Sequence, residues 1–300
     1  MNTIDLFAGV GGIRLGMESA GFSTVFANDI DPKAKITYDL NSECPMTVGD
    51  IREIDDIPKF NCLTGGFPCQ PFSVSGKRLG FQDTRGTLFF RVAELLNENR
   101  PETFLLENVK GLYTHDGGNT FKTIVGVLED LGYNVHHKIL NSMNYGVPQN
   151  RERVFIIGFK DKVDFSFPEP IPLRTSVRDL LDDEVDERFY IREDHKHYKP
   201  ISKGVVDPDK IYQWRWSYLR ENRKNVCPTL LASYMQPTLV YTDKGIRGIT
   251  PREGFRLQGF PDSFQIPDLP DKVLMHQVGN SVTVPVIEAI AKSMFHSLSN

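Results

Sequence analysis

The feature that most constrains this chain is a repeating alternation in its first half. Short apolar runs at Thr3–Phe7, Thr24–Ala27, Asn61–Gly65, Thr103–Leu106, Val135–Leu140 and Val154–Phe159 are separated by helical patterns at Ile13–Ala20, Pro32–Leu40, Leu88–Asn99 and Thr120–Leu131. Segments of strand length cannot pair in parallel without a crossover, and a helix supplies it. The rhythm predicts an α/β fold, a largely parallel Rossmann-like sheet with helices on both faces. It breaks after Phe159 at Pro168, Pro170 and Pro172, and a polar stretch follows from about Asp179 to Gly248. Helical text returns at Thr250, and the amphipathic Val284–Leu298 is expected to pack back onto the first domain. The expected partition is 1–178, 179–250 and 251–300, the middle segment being a smaller unit of its own.

Composition narrows the class. At 300 residues, 40% hydrophobic and 25% charged, the chain has enough material for a substantial core, and no apolar run is long enough to span a bilayer. The N-terminus enters a strand-like segment without a basic n-region, so no signal peptide and a cytoplasmic location are expected. Cys44, Cys62, Cys69 and Cys227 lack paired metal spacing and favour a reducing compartment, with no metal site. The net charge of −4 does not suggest nucleic acid, but His195–Lys224 carries eight bases against three acids, a local +5. That stretch reads as a phosphate-binding face or as solvated surface. Trp214 and Trp216 within it fit recognition or core equally.

The chemistry-bearing residues fall where the apolar runs end. Asp5-Leu6-Phe7-Ala8-Gly9-Val10-Gly11-Gly12 joins the first strand to a helix; its glycines permit a tight turn and close approach of backbone to a ligand. It departs from the dinucleotide pattern G-x-G-x-x-G. Asp29 follows 22 residues after Phe7, where an acid can accept from ribose hydroxyls, and Asp50 follows a third strand-like segment. Each aspartate alone also fits a turn or helix cap; with the glycine turn they outline an adenosine site. Cys69 stands in Gly65-Gly66-Phe67-Pro68-Cys69-Gln70-Pro71, restrained by prolines on a strand-end loop as a nucleophile needs. Cys44, Cys62 and Cys227 read as small buried hydrophobes. Glu107 ends the fifth strand, and Arg151 and Arg153 precede another, so a thiol, a carboxyl and two arginines can share one cleft.

At this point the chain resembles the bacterial DNA cytosine-C5 methyltransferases of restriction-modification systems. The matching pieces, in order, are Asp5–Gly12, Asn28–Asp31, Gly49–Ile51, Gly66–Ser73, Glu107–Val109, Gln149–Arg153, Pro251–Gly259 and Gln277–Ser281. They cover nearly everything outside Asp179–Gly248. The resemblance implies S-adenosylmethionine as cofactor, double-stranded DNA as substrate and a monomer. A cognate restriction endonuclease acting separately is the implied partner; no membrane is. It casts Cys69 as the nucleophile on C6, Glu107 as the acid at N3, Arg153 on O2 and Arg151 as support for the loop or backbone. The cofactor would be held by Phe7, Gly9, Gly11, Asp29, Ile30, Asp50, Ile51, Pro68, Leu88, Asn280 and Val282. DNA would meet Ser75, Lys77, Arg78 and Arg85 in a loop closing over the flipped base. In the middle unit it would meet Thr229, Leu230, Tyr234 and Gln236. Two other readings stand beside this one: a methyltransferase acting on a tRNA cytosine, and a catalytically silent DNA-binding module. Ser73-Val74-Ser75-Gly76-Lys77 after the cysteine favours the DNA enzymes, and retention of Cys69, Glu107 and both arginines argues against the silent module.

Overall fold

The computed structural model describes residues 1–68, 88–194, 201, 203, 207, 210–215, 218–222, 226–233 and 238–299. The chain folds as two compact units: Met1–Leu140, Glu152–Pro168 and Ile287–Asn300 form the first, and Asn141–Arg151 with Glu169–Val286 form the second.

The first unit is built on a seven-stranded sheet in the order β3-β2-β1-β4-β5-β8-β6. Its strands are β1 Asn2–Leu6, β2 Ser23–Asp29, β3 Met46–Val48, β4 Cys62–Gly65, β5 Thr103–Val109, β6 Asn134–Asn141 and β8 Glu152–Phe159. β3, β2, β1, β4 and β5 run parallel, and β8 pairs antiparallel with β5. The alternation of the sequence is thus realised, with crossover helices α1 Gly12–Ser19, α2 Pro32–Asp39, α3 Leu88–Asn99 and α5 Asn119–Asp130; a single turn, α4 Gly111–Thr114, precedes α5. Strands buried on both faces read as continuous apolar runs, as Phe104-Leu105-Leu106 does, fully buried. One core cluster joins Ile4, Leu63 and Leu106 of the sheet to Phe89, Val92 and Leu96 of α3 and Ile124 and Leu128 of α5.

The strand order reverses between β1 and β4. The chain moves outward one way through β2 and β3, then returns to β4 and moves the other way to β5. In such sheets the loops leaving the two strands at the reversal diverge and open a crevice at their carboxyl ends. Here those loops are Phe7–Gly11 after β1 and Gly66–Pro68 after β4. The last helix, α8 Val284–Ser299, meets α1 at Gly16, where an added Cβ would stand 2.6 Å from Ile287 Cβ. Only glycine allows that approach.

The second unit holds a four-stranded antiparallel sheet, β10-β9-β12-β13, formed by β9 Ile211–Arg215, β10 Tyr218–Glu221, β12 Thr238–Thr242 and β13 Gly245–Gly248. Its small core gathers Ile201, Tyr212, Trp214, Leu239 and Ile246, so Trp214 is a core residue; Trp216 lies outside the described residues. Two short strands, β7 Gln149–Asn150 and β11 Cys227–Pro228, pair in parallel. Helix α6 Pro251–Arg256 opens with a capping box between Thr250 and Glu253, and α7 spans Asp271–Asn280. No helix among the described residues is long and apolar enough to cross a membrane.

Candidate active site

The turn after β1 is held in an unusual backbone conformation. Phe7, Gly9 and Gly11 all have positive φ, at 56°, 55° and 86°. Phe7 is not glycine, so the surrounding structure must impose that conformation. Two hydrogen bonds do so: Ala8 N donates to Asn28 O at 3.0 Å and Gly9 N to Asp29 Oδ2 at 2.8 Å. The other oxygen of Asp29 accepts from Asp31 N at 2.9 Å, and Asp31 caps α2 through Lys33 N. One aspartate thereby ties the glycine turn to the end of β2, and a carboxylate with about four acceptor sites retains capacity for further donors. At Gly9 an added Cβ would find no atom within 4 Å, so the turn borders open space. A carboxylate beside an open glycine turn at the switch point fits an adenosine with its ribose hydroxyls as donors.

The neighbouring acid behaves differently. Asp50 caps the short turn Ile51–Glu53 by accepting from Arg52 N, and it pairs with the Arg52 side chain. That guanidinium holds the Asp50 carboxyl down at about 2. Asn28 Nδ2 donates to Thr47 O and Gly49 O, both at 3.0 Å, which fixes β3 beside β2 and so the position of Asp50. Of the other residues expected at the cofactor, Ile30 is 69% exposed, Ile51 is buried, Pro68 is exposed and Leu88 opens α3 half-buried. Asn280, exposed, and Val282, buried, belong to the second unit.

Beneath the turn lies an acid that its place in the motif leaves without an expected role. Asp5 is fully buried; Thr64 Oγ1 donates to its Oδ1 at 3.0 Å, and its Oδ2 has no hydrogen-bond partner among the described residues. Burial raises its carboxyl to about 7, against the lowering effect of the Thr64 bond.

Glu107 and Arg153 meet at the carboxyl edge of β5. The antiparallel register sets Arg153 opposite Val109, diagonal to Glu107 on the same face, and Arg153 Nε reaches Glu107 Oε1 at 3.0 Å. Their side chains are 11% and 15% exposed, which makes this an ion pair largely removed from solvent. Burial lowers the guanidinium from its ordinary value, and the Glu107 carboxylate acts in the opposite sense. Gly66 lies close by: a Cβ there would stand 3.3 Å from Glu107 Oε2.

Asn108 has a part that the Glu107-Asn108-Val109 motif alone does not disclose. It is 3% exposed, and its Nδ2 donates to Phe67 O at 2.7 Å. Phe67 is two residues before Cys69. The strand bearing the carboxyl therefore grips the loop leading to the thiol. Cys69 itself, with Ser75, Lys77, Arg78 and Arg85, lies outside the described residues, as do Tyr234 and Gln236. Among the remaining thiols, Cys62 and Cys227 are fully buried and Cys44 half-buried; burial pushes Cys62 up and Cys227 up to about 12, the state of an inert thiol.

Arg151 is a member of the second unit and 3% exposed. Its guanidinium donates to the backbone carbonyls of Leu230 at 3.0 Å, Gly279 at 3.1 Å and Ser281 at 2.5 Å. Thr229 Oγ1 donates to Asn150 O at 2.7 Å, Leu230 N donates to Gln149 Oε1 at 3.1 Å, and Leu230 is buried. The Thr229-Leu230 pair thus spends these groups on the internal structure of its unit. Within the +5 stretch, Lys210 is paired with Glu221 at 2.6 Å and with Asp207 at 3.6 Å, so this base is engaged inside its own unit.

A doubly wound sheet with a glycine turn and an acid at its switch point is suited to a nucleoside-bearing cofactor, as in the class of S-adenosylmethionine-dependent methyltransferases. Within that class, residues 1–296 match the family model for the C-5 cytosine-specific DNA methylase. The chain is 46% identical to the type II methyltransferase M.Bsp6I of Bacillus sp. (strain RFL6), covering 98% of each, and 45% identical to M.HaeII of Haemophilus aegyptius, covering 99% of this chain and 93% of the relative. Among solved structures, the S. pombe Dnmt2 methyltransferase superposes with a TM-score of 0.79 at 22% identity over the whole of both chains, a likeness of fold. The chain belongs to the C-5 cytosine-specific DNA methylase family. It is a DNA cytosine-5 methyltransferase and uses S-adenosylmethionine.

Proposed function

We propose that Cys69, Glu107 and Arg153 carry out the methyl transfer and that the second unit selects the DNA sequence. The observation behind this is the linked geometry at β5: Glu107 paired with Arg153 at 3.0 Å, and Asn108 gripping the carbonyl two residues before Cys69. C5 of cytosine is a poor nucleophile. Addition of the Cys69 thiolate to C6 moves electron density to C5, and Glu107 donates a hydrogen bond or proton at N3 to hold the resulting anion. S-adenosylmethionine, when bound, supplies the electrophilic methyl group. C5 gains that methyl, a base removes its proton, and the re-formed C5–C6 double bond expels the thiolate.

Arg153 has two duties in this scheme. It favours the thiolate over a thiol that ordinarily titrates near ~8.5, and it binds O2 of the base. Glu107 must hold a proton for its task, and a guanidinium in contact favours the ionised carboxylate. Arg153 therefore shifts from Glu107 to O2 as the base enters. Such a base is unreachable within the stack and must be extruded, at a cost of about a few kcal/mol. The loop from Ser73 to Gly86, with Ser75, Lys77, Arg78 and Arg85, closes over it. Asp29 and Asp50 hold the adenosine, with Phe7, Gly9, Gly11, Ile30, Ile51, Pro68 and Leu88 around it; Asn280 and Val282 are the further cofactor residues that the family resemblance implies. Arg151 acts as a positioning residue that braces the backbone of Leu230, Gly279 and Ser281. In the cell, a cytoplasmic monomer would protect DNA from a separate restriction endonuclease; its relatives are named type II methyltransferases.

Methyl transfer from labelled cofactor to duplex DNA tests the scheme. Cys69→Ser is expected to abolish transfer while leaving duplex binding within a few-fold of the parent, because a hydroxyl is far less nucleophilic than a thiolate. A duplex containing 5-fluorocytosine is expected to trap the parent enzyme covalently, and near-parental turnover by the variant would remove Cys69 from the chemistry.

A further inference from the structure

The β9–β10 ribbon of the second unit has two unlike faces. In its antiparallel register Leu219 stands opposite Trp214, Arg220 opposite Gln213 and Tyr218 opposite Arg215. Side chains alternate between faces along a strand. Tyr212 and Trp214 point into the core, with Leu219 packed against them. Gln213, Arg215, Tyr218 and Arg220 share the other face.

That face borders a concavity of about 160 Å³, lined by Gln213, Arg215 and Arg220 with Asn150, Thr229 and Leu231. Its floor is built rather than incidental. Gln213 is 3% exposed, yet its Oε1 accepts no hydrogen bond among the described residues. A buried acceptor left without a donor costs about 1–3 kcal/mol, and a side chain in the middle of a central strand could have been apolar at no such cost. Thr229 and Lys210 do not answer it: Thr229 Oγ1 is committed to Asn150 O, and Lys210 to Glu221 and Asp207. Arg220 and Tyr218 are exposed, Tyr218 at 58%, so the rim is available to a ligand while the acceptor waits below.

We propose that this face of the β9–β10 ribbon reads a G·C base pair of the target from the major groove, with Arg215 and Arg220 as guanine donors and Gln213 as the acceptor. The inference rests on the reading of the second unit as the part that selects sequence. The major groove admits a two-stranded ribbon. There a G·C pair presents N7 and O6, two adjacent acceptors suited to a guanidinium, followed by the cytosine N4 amine, a donor. A phosphate offers acceptors only and would leave Gln213 Oε1 unanswered, which is why a base edge fits this face better than the backbone. Tyr218, beside Arg215, supplies apolar area against the neighbouring step. This adds the ribbon before Leu230 to the residues after it as a place where sequence is read.

The test is methylation of a duplex library randomised around the target, read by bisulfite sequencing, for the parent, Arg220→Ala and Gln213→Met. Arg220 is exposed, so its loss should leave the fold intact; Gln213→Met keeps length while removing the acceptor. Each variant is expected to lose about 5- to 150-fold discrimination at one G·C position and to keep the parent's preference elsewhere. Equal weakening on all sequences with a shallower salt dependence would make the face a phosphate clamp and overturn the proposal. Unchanged specificity in the active Arg220→Ala enzyme would also overturn it. A parent that methylates DNA without any sequence preference would instead sink the reading of the second unit on which the proposal stands.

Discussion

Both units bury an arginine–glutamate pair, and the two pairs are built to opposite ends. In the second unit Arg247 and Glu253 are 1% and 0% exposed. Glu253 accepts from both Arg247 terminal nitrogens at 2.7 and 2.8 Å, from Thr250 N at 2.7 Å and from Asp182 N at 2.8 Å. Four donors occupy the two Glu253 oxygens, while Arg247 Nε, also buried, has no hydrogen-bond partner among the described residues. In the first unit Glu107 and Arg153 meet through Nε at the end of a strand, 11% and 15% exposed, within reach of an entering group. The sealed pair pins a helix start, a strand and a loop. The rim pair holds two charged groups at an edge where the sheet's own hydrogen bonding ends. The pair that is 0–1% exposed serves the fold, and the pair at the strand end stands where chemistry can reach it.

The largest effects come from cutting each pair on its carboxylate side. Glu253→Gln leaves Arg247 buried without its counter-charge and is expected to cost about 3–5 kcal/mol of stability. Denaturant unfolding would register this as a lowered midpoint, while turnover per folded molecule stays near the parent's. Glu107→Gln is expected to lower the methyl-transfer rate by about 10²- to 10⁴-fold, with a stability change several times smaller than that of Glu253→Gln. A Glu107 variant that unfolds with an unaltered rate, or a Glu253 variant that is stable and inactive, would reverse these two assignments.

The same division governs how much of the molecule is legible in its sequence. The sheet is legible because strands buried on both faces must be continuously apolar and crossover helices must be amphipathic, as Thr103–Leu106 and Leu88–Asn99 are. Positions at the strand ends are legible because a carboxylate, glycines or a proline-flanked cysteine there have no role in the core. Roles that depend on a partner far away in sequence are not. Nothing local to Asn108 tells that its amide holds Phe67 O, 41 residues away. The +5 count cannot show that Lys210 is already paired with Glu221. Thr229 and Leu230 are expected at DNA, and the structure spends Thr229 Oγ1 on Asn150 and buries Leu230 beside Arg151 and Gln149. Gly279 is similar: an added Cβ would fall 2.2 Å from Ala232 N, a constraint that only the folded chain displays.

Asp5 sharpens the contrast, because it is a buried carboxyl of the first unit that is not saturated. Its folded value of about 7 exceeds the ordinary 3.8. Between those values the folded protein keeps a proton that the unfolded chain has released, so stability falls as pH rises from about 4 to about 7. Below that window both states are protonated and above it both are ionised, so the effect vanishes below and levels off above. The full difference is on the order of 4 kcal/mol. Asp5→Asn retains the acceptor for Thr64 Oγ1 without a titrating group. Its stability from urea unfolding is expected to decline less than the parent's across this window. Parallel curves for parent and variant would mean that Asp5 is ionised throughout and that the first unit tolerates an unanswered buried charge.

The smallest effect is expected at Asp29, and it tests whether the rim carboxylates are spent on the fold or held for a ligand. Asp29 already accepts from Gly9 N and Asp31 N, so in number of donors it stands between Glu253 and Asp5. Removing it with Asp29→Ala releases two backbone donors at positions where water can replace the lost acceptor, since Asp29 is half-buried and Gly9 borders open space. The structural cost should therefore be minor. Loss of a charged acceptor for the ribose hydroxyls should instead weaken S-adenosylmethionine binding by about 1.5–3 kcal/mol, roughly one to two orders of magnitude in Kd. Calorimetric titration of the DNA-free enzyme measures this directly, with unfolding midpoints as the control. Unchanged affinity accompanied by a clear drop in stability would place Asp29 with Glu253, as a tie between the β1 turn and β2 alone. A weakened Kd at constant stability places it with the groups kept for chemistry, and it predicts that Asp29→Asn, which retains one acceptor oxygen, recovers part of the loss.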